Sequence, residues 1–202
     1  MIKLNRLSKR MIILLAAVSA LGPVGMQILL PALPIIKQTF DVSNDIAQLT
    51  LSLSMLAIAI GTLVYGPLSD KYGRKRVMLA GIVITLIGSI VCFVSDSIVL
   101  LISGRFIQAF GGAVGLVLAR AIVRDVYGAE EAARVIATLV MVMVVLPMMS
   151  PALGGELMHQ FGFESVFIII AFASAIAFVF LFLWLPETLA KPVPFEGVKS
   201  ML

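Results

Sequence analysis

Six stretches of this chain are apolar for roughly twenty residues each, and that leaves few folds open to it. A helix needs about 20 apolar residues to cross about 30 Å of hydrocarbon, and in lipid its backbone polar groups must pair within the segment. The stretches lie near 11–33, 46–66, 77–95, 98–119, 135–157 and 166–185. They are too long and too uniformly apolar for barrel strands, which alternate over about 10 residues. With 61% hydrophobic and 13% charged residues, the chain reads as an all-α membrane protein of six transmembrane helices in a lipid bilayer.

The charges sit at the ends of the spans, which argues for membrane topology and against nucleic acid as a partner. If the N-terminus is cytoplasmic, Lys3, Arg6, Lys9, Arg10, Lys71, Arg74, Lys75, Arg76, Arg120, Arg124, Arg134, Lys191 and Lys199 face the cytoplasm. Asp41, Asp45, Asp96, Glu156 and Glu164 then lie outside with Lys37. Positive charge concentrates on cytoplasmic loops, so both termini are expected inside. Val18-Ser19-Ala20 resembles a cleavage site, but the apolar run continues to Leu33, longer than a cleavable core, and is read as an uncleaved first helix. The single cysteine, Cys92, lies within the third span and reads as a buried, inert thiol. Residues 1–188 are expected to form one bundle, and 189–202 to begin a cytoplasmic linker.

Between the second and third spans stands Gly66-Pro67-Leu68-Ser69-Asp70-Lys71-Tyr72-Gly73-Arg74-Lys75-Arg76. The segment is expected as a tight turn, with Gly66 and Gly73 allowing close helix approach and unusual backbone angles. Asp70 can accept hydrogen bonds or meet a helix N-terminus, and Arg74 offers a planar fork to a carboxylate. Composition alone equally fits an ordinary positive-inside loop. The order of residues resembles the loop between helices two and three of the major facilitator superfamily. The resemblance implies that Gly66, Asp70, Gly73 and Arg74 latch the cytoplasmic side in one state, with Asp125 as the arginine's partner.

Arg105 is the only formal charge deep in a span, and such a charge is costly enough to be a functional candidate. Gln108, three residues on, shares its helical face. A structural arginine snorkelling to the outer interface is the alternative. Arg105-Phe106-Ile107-Gln108-Ala109 resembles the superfamily's Arg-x-x-Gln-Gly motif, with Ala109 in place of the glycine, which implies a part in proton coupling. Gly104, Gly111 and Gly115 read as a small-residue packing stripe.

Pro147-Met148-Met149-Ser150-Pro151-Ala152-Leu153-Gly154-Gly155 is expected to kink the fifth span. It resembles the Gly-Pro-x-x-Gly-Gly motif of drug/proton antiporters, with Pro151, Gly154 and Gly155 intact and Ser150 replacing the first glycine. The first span ends Leu30-Pro31-Ala32-Leu33-Pro34, similar to the Bcr/CflA-like drug-resistance branch. Members of that branch often carry an acid where Gln27 stands; a neutral amide releases no proton, though it can bind substrate. Leu185-Pro186-Glu187-Thr188 resembles the superfamily's end of helix six.

These resemblances imply the N-terminal six-helix half of a drug:proton antiporter fold, working by alternating access in the plasma (bacterial inner) membrane. The implied substrate is a small molecule, in a cavity lined by Gln27, Gln48, Arg105, Gln108 and Met141. The implied energy source is a proton gradient, with no cofactor and no metal. Such a half needs a missing C-terminal half or a second copy as partner; an inactive truncated product is the other expectation for a chain of 202 residues. An intramembrane enzyme is disfavoured, because His159 is the only histidine and neither Gly-x-Ser-x-Gly nor His-Glu-x-x-His is present.

Overall fold

A computed structural model describes residues 8–189. Lys3, Arg6, Lys191, Lys199 and the expected linker from residue 190 onward lie outside the described residues. Among those described, all regular structure is helical: α1 (Lys9–Gln27), a 3-10 turn (Leu30–Ala32), α2 (Leu33–Thr39), α3 (Asn44–Tyr72), α4 (Arg74–Phe93), α5 (Ile98–Val126), α6 (Ala129–Phe161) and α7 (Ser165–Trp184). Taking Lys9–Thr39 as one passage, six are long and apolar enough to cross a membrane. The chain is a multi-pass integral membrane protein.

Local chemistry sets the helix ends. Ser8, Ser43 and Ser97 each accept a backbone N–H of the first turn, those of Met11, Ile46 and Leu100, at 3.3, 3.4 and 3.3 Å. These serines satisfy donors that a helix start otherwise leaves orphaned. Gly73 and Gly162 end α3 and α6 at φ +99° and +83°, a region that side-chain-bearing residues avoid.

Two features differ from the expected layout. The first passage is not one helix: it stops at Gln27, turns through the 3-10 segment and restarts as α2. Pro31 and Pro34 lack the N–H a continuing helix needs and are tolerated in a first turn, which is where both sit. The tight turn expected over 66–76 is helical on either side of one residue. α3 runs through Pro67 to Tyr72, and Gly73 alone separates it from α4. Hydropathy registers only the lipid-crossing part of a helix, and here the helices continue into polar ends; α5 likewise extends to Val126.

α5 is the central helix, packed against α1, α3, α4 and α6. Of its most apolar window 61% is buried, against 28% for α3 and 17% for α6. Gly104 and Gly111 face α4, whereas Gly112 and Gly115 face α1, so the expected single glycine stripe serves two different contacts. Leu63 and Met148, 77% and 82% exposed, belong to broad apolar surfaces on α3 and α6 that water would not tolerate.

Candidate functional site

Two polar clusters stand out in this apolar bundle. The first joins the start of α4 to the ends of α3, α5 and α7. Arg74 donates from Nε to Asp125 Oδ2 at 2.9 Å and from Nη1 to Asp70 Oδ1 at 2.6 Å. Nη1 also donates to Ser69 Oγ at 2.6 Å. The Arg74 side chain is 11% exposed and that of Asp125 23%, so this pair is better shielded than an ordinary surface pair, whereas Asp70 is half-exposed.

The acid that meets the N-terminus of α4 is not Asp70 but Glu187, beyond the end of α7. Its carboxylate accepts the backbone N–H of Arg74 at 2.9 Å and of Lys75 at 3.3 Å. An anion there is favoured by both the free donors and the helix dipole. Lys75 answers in reverse, donating from Nζ to Phe182 O at 2.9 Å, in the last turn of α7. Thr188 Oγ1 donates to Asp125 Oδ2 at 3.5 Å, tying the same segment to the Arg74 partner.

The two glycines of this segment behave differently. At Gly73 a Cβ would lie 2.5 Å from Glu187 Oε2, and φ is positive. At Gly66 it would meet nothing within 4 Å, which corrects the expectation that Gly66 serves a close helix approach. Substitution by alanine should therefore have opposite signs. Gly73→Ala is expected to destabilise by about 1–3 kcal/mol from the positive-φ backbone alone. Gly66→Ala is expected to stabilise by up to about 1 kcal/mol as a helix-interior change. Thermal melts of the two variants in one detergent check the signs.

The second cluster lies inside the bundle. Arg105 is 1% exposed and Gln108 3%. Arg105 Nη1 donates to Gln108 Oε1, and Gln108 Nε2 donates to Ser89 Oγ on α4 at 2.7 Å. Ser89 in turn donates to Thr85 O at 2.8 Å. The arginine does not snorkel to an interface. Its head faces α1 at Gly25, where a Cβ would sit 4.0 Å from Nη1. Its Nε has no hydrogen-bond partner among the described residues, and no described carboxylate lies within ion-pair distance of it.

The other expected site residues are scattered. Gln27 closes α1 half-buried, without a side-chain hydrogen bond among the described residues, and is not joined to Arg105. Gln48 and Met141 are exposed, whereas Arg105 and Gln108 are enclosed. α6 runs as one helix through Pro147 and Pro151. Gly154 presses on the break in the first passage, where a Cβ would lie 2.5 Å from Ile28 O; Gly155 faces open space.

Two residues central to these clusters, Ser89 and Glu187, were not singled out for a site from the sequence. Ser89 looks like any hydroxyl bonded to its own helix. Glu187 carried a signal, as the acid closing the polar end of the last span.

The sequence matches the Major Facilitator Superfamily model over residues 15–200. It is 34% identical over 178 residues to an uncharacterized MFS-type transporter of Bacillus subtilis, covering 87% of this chain and 44% of that protein. It is 31% identical over 180 residues to the bicyclomycin resistance protein homolog of Haemophilus influenzae, covering 89% and 45%. The fold superposes on the human organic anion transporter MFSD10 with a TM-score of 0.76 at 21% identity, covering 95% of this chain and 52% of the other. The chain thus spans about half the length of the curated relatives it matches. A match over residues 15–200, a range that reaches all six passages and holds the Arg74 and Arg105 clusters, makes this chain a member of the Major Facilitator Superfamily.

Proposed function

We propose that residues 1–188 act as the N-terminal six-helix half of a proton-coupled efflux transporter for small molecules or drugs. The half sits in a bacterial inner membrane with both termini cytoplasmic, and 189–202 begins the linker. A second six-helix bundle, a C-terminal half or a second copy, covers the exposed faces of α3 and α6. Alternating access rocks one bundle against the other. The superfamily membership and the bicyclomycin-resistance relative support this reading.

The observation that carries it is the ionic cluster at the α3–α4 junction. Asp70, Arg74 and Asp125 come from three helices and bond only when those helix ends are together. A contact that can form and break within the bundle is a means of favouring one arrangement over another, a bias that a switching transporter requires. Gly66 and Gly73 belong to the same latch segment; Pro151, Gly154 and Gly155 form the α6 joint beside the break in the first passage. Arg105 and Gln108 serve coupling. Gln27 binds substrate rather than a proton, because an amide does not titrate. The chemistry is transport driven by an ion gradient, not bond cleavage.

Bicyclomycin accumulation tests the proposal, in cells expressing the chain together with its second bundle. Accumulation is expected to fall, and a protonophore is expected to restore it. Unchanged accumulation with the protein present in the membrane would overturn the efflux reading.

A further inference from the structure

We infer that Ser89 is a positioning residue for Arg105, acting through the side-chain amide of Gln108. The inference rests on the proposed coupling role of Arg105. The argument is one of donors and acceptors. An amide side chain can face either way, and only its partners decide which end is oxygen. Ser89 has one hydroxyl proton, and it is committed to Thr85 O at 2.8 Å. Its oxygen is then left only to accept, so the group facing it at 2.7 Å must be the NH2 of Gln108. That fixes Oε1 toward Arg105, whose guanidinium has donors alone. The flipped amide would set donor against donor at the arginine. All three side chains are enclosed, at 0%, 3% and 1% exposure, so water is not at hand to rescue a misdirected amide.

The approach of the two helices is built for this contact. Gly88, next to Ser89, lies against Gln108, and a Cβ there would fall 2.6 Å from Gln108 Cα. Ser89 thereby reaches across from α4 to a residue 19 positions on, and its orientation passes to the head of Arg105. With no described carboxylate to hold the guanidinium, the amide is the anchor that sets its direction.

The test is the Nε–Hε resonance of Arg105 in the full chain, labelled with 15N-arginine in nanodiscs and assigned by its loss in Arg105→Lys. Ser89→Ala is expected to shift this signal and speed its exchange with water about tenfold. The Arg74 signal should not move. Ser89→Thr, which keeps the hydroxyl, is expected to restore the parent spectrum. In a Gln108→Leu background Ser89→Ala should have no further effect. An Arg105 signal in Ser89→Ala that overlays the parent would overturn the inference. If Ser89→Ala does not fold, Ser89→Cys, a weaker acceptor, must give a smaller shift in the same direction, and a parent-like signal there would equally overturn it. Failure of the transport reading shows separately: an Arg105→Lys protein that expels bicyclomycin normally sinks the coupling role whatever the spectra show.

Discussion

Arg105→Met should make the bundle more stable and, on the proposed coupling role, a much weaker transporter. A guanidinium is charged at every accessible pH, and this one is enclosed with no described carboxylate beside it. Enclosing a charge carries an effective penalty of several kcal/mol, and the end of α1 nearby offers at most about half an elementary charge in return. Methionine fills similar space without that penalty. Against it stands the loss of one partner for Gln108 Oε1, about 1–3 kcal/mol. Replacing buried ionic groups by apolar ones of like volume has gained about 1–4 kcal/mol elsewhere, so a modest net rise is expected. Transport should fall by about ten- to hundredfold, the value of a hydrogen bond to a charged group. Melting temperature and efflux measured on one preparation decide it. A variant that melts lower and still transports would mean that Arg105 serves structure and not coupling.

The second large effect belongs to Gly88. Here the obstacle to a side chain is the backbone of Gln108, which cannot rotate away as a side chain would. Gly88→Val must therefore drive α4 and α5 apart along their whole shared face. Overpacking costs typically about 1–3 kcal/mol, and the upper end applies where backbone is struck. For a chain of this size that corresponds to a drop in melting temperature of about 6–12 °C. Gly155→Val is the matched control, because a Cβ there meets nothing within 4 Å, and it should stay within about 0.5 kcal/mol of the parent. Equal losses at the two positions would show that the close α4–α5 approach at Gly88 does not set the cost.

The number of membrane passages and their helical character were legible because lipid imposes a minimum apolar length, which any window of sequence displays. The meeting of Arg74 with Asp125 was legible only through resemblance, since nothing local links positions 51 residues apart. The break at 28–32 was signalled by Pro31 and Pro34, yet hydropathy reads straight through it. The rotation of α4 about its axis was not legible. A hydroxyl such as Ser89 in an apolar run bonds its own carbonyl four residues back whichever way it points, and only the placement of Gln108 reveals a second bond. Gly66 and Gly154 make the same point: composition marks a small residue, but the neighbouring helix decides whether smallness is needed.

Glu187 gives the α3–α4 junction a property that no single ion pair has. By holding the first amides of α4, it fixes the segment from which the Arg74 side chain departs, and Thr188 brings Asp125 to the same place. Once one of these contacts forms, the others no longer have to search; each raises the effective concentration of the rest. The converse also holds, since the loss of any one dilutes its companions. Mutual support of this kind disfavours half-formed arrangements, and part of it comes from an acid 113 residues from the helix it caps.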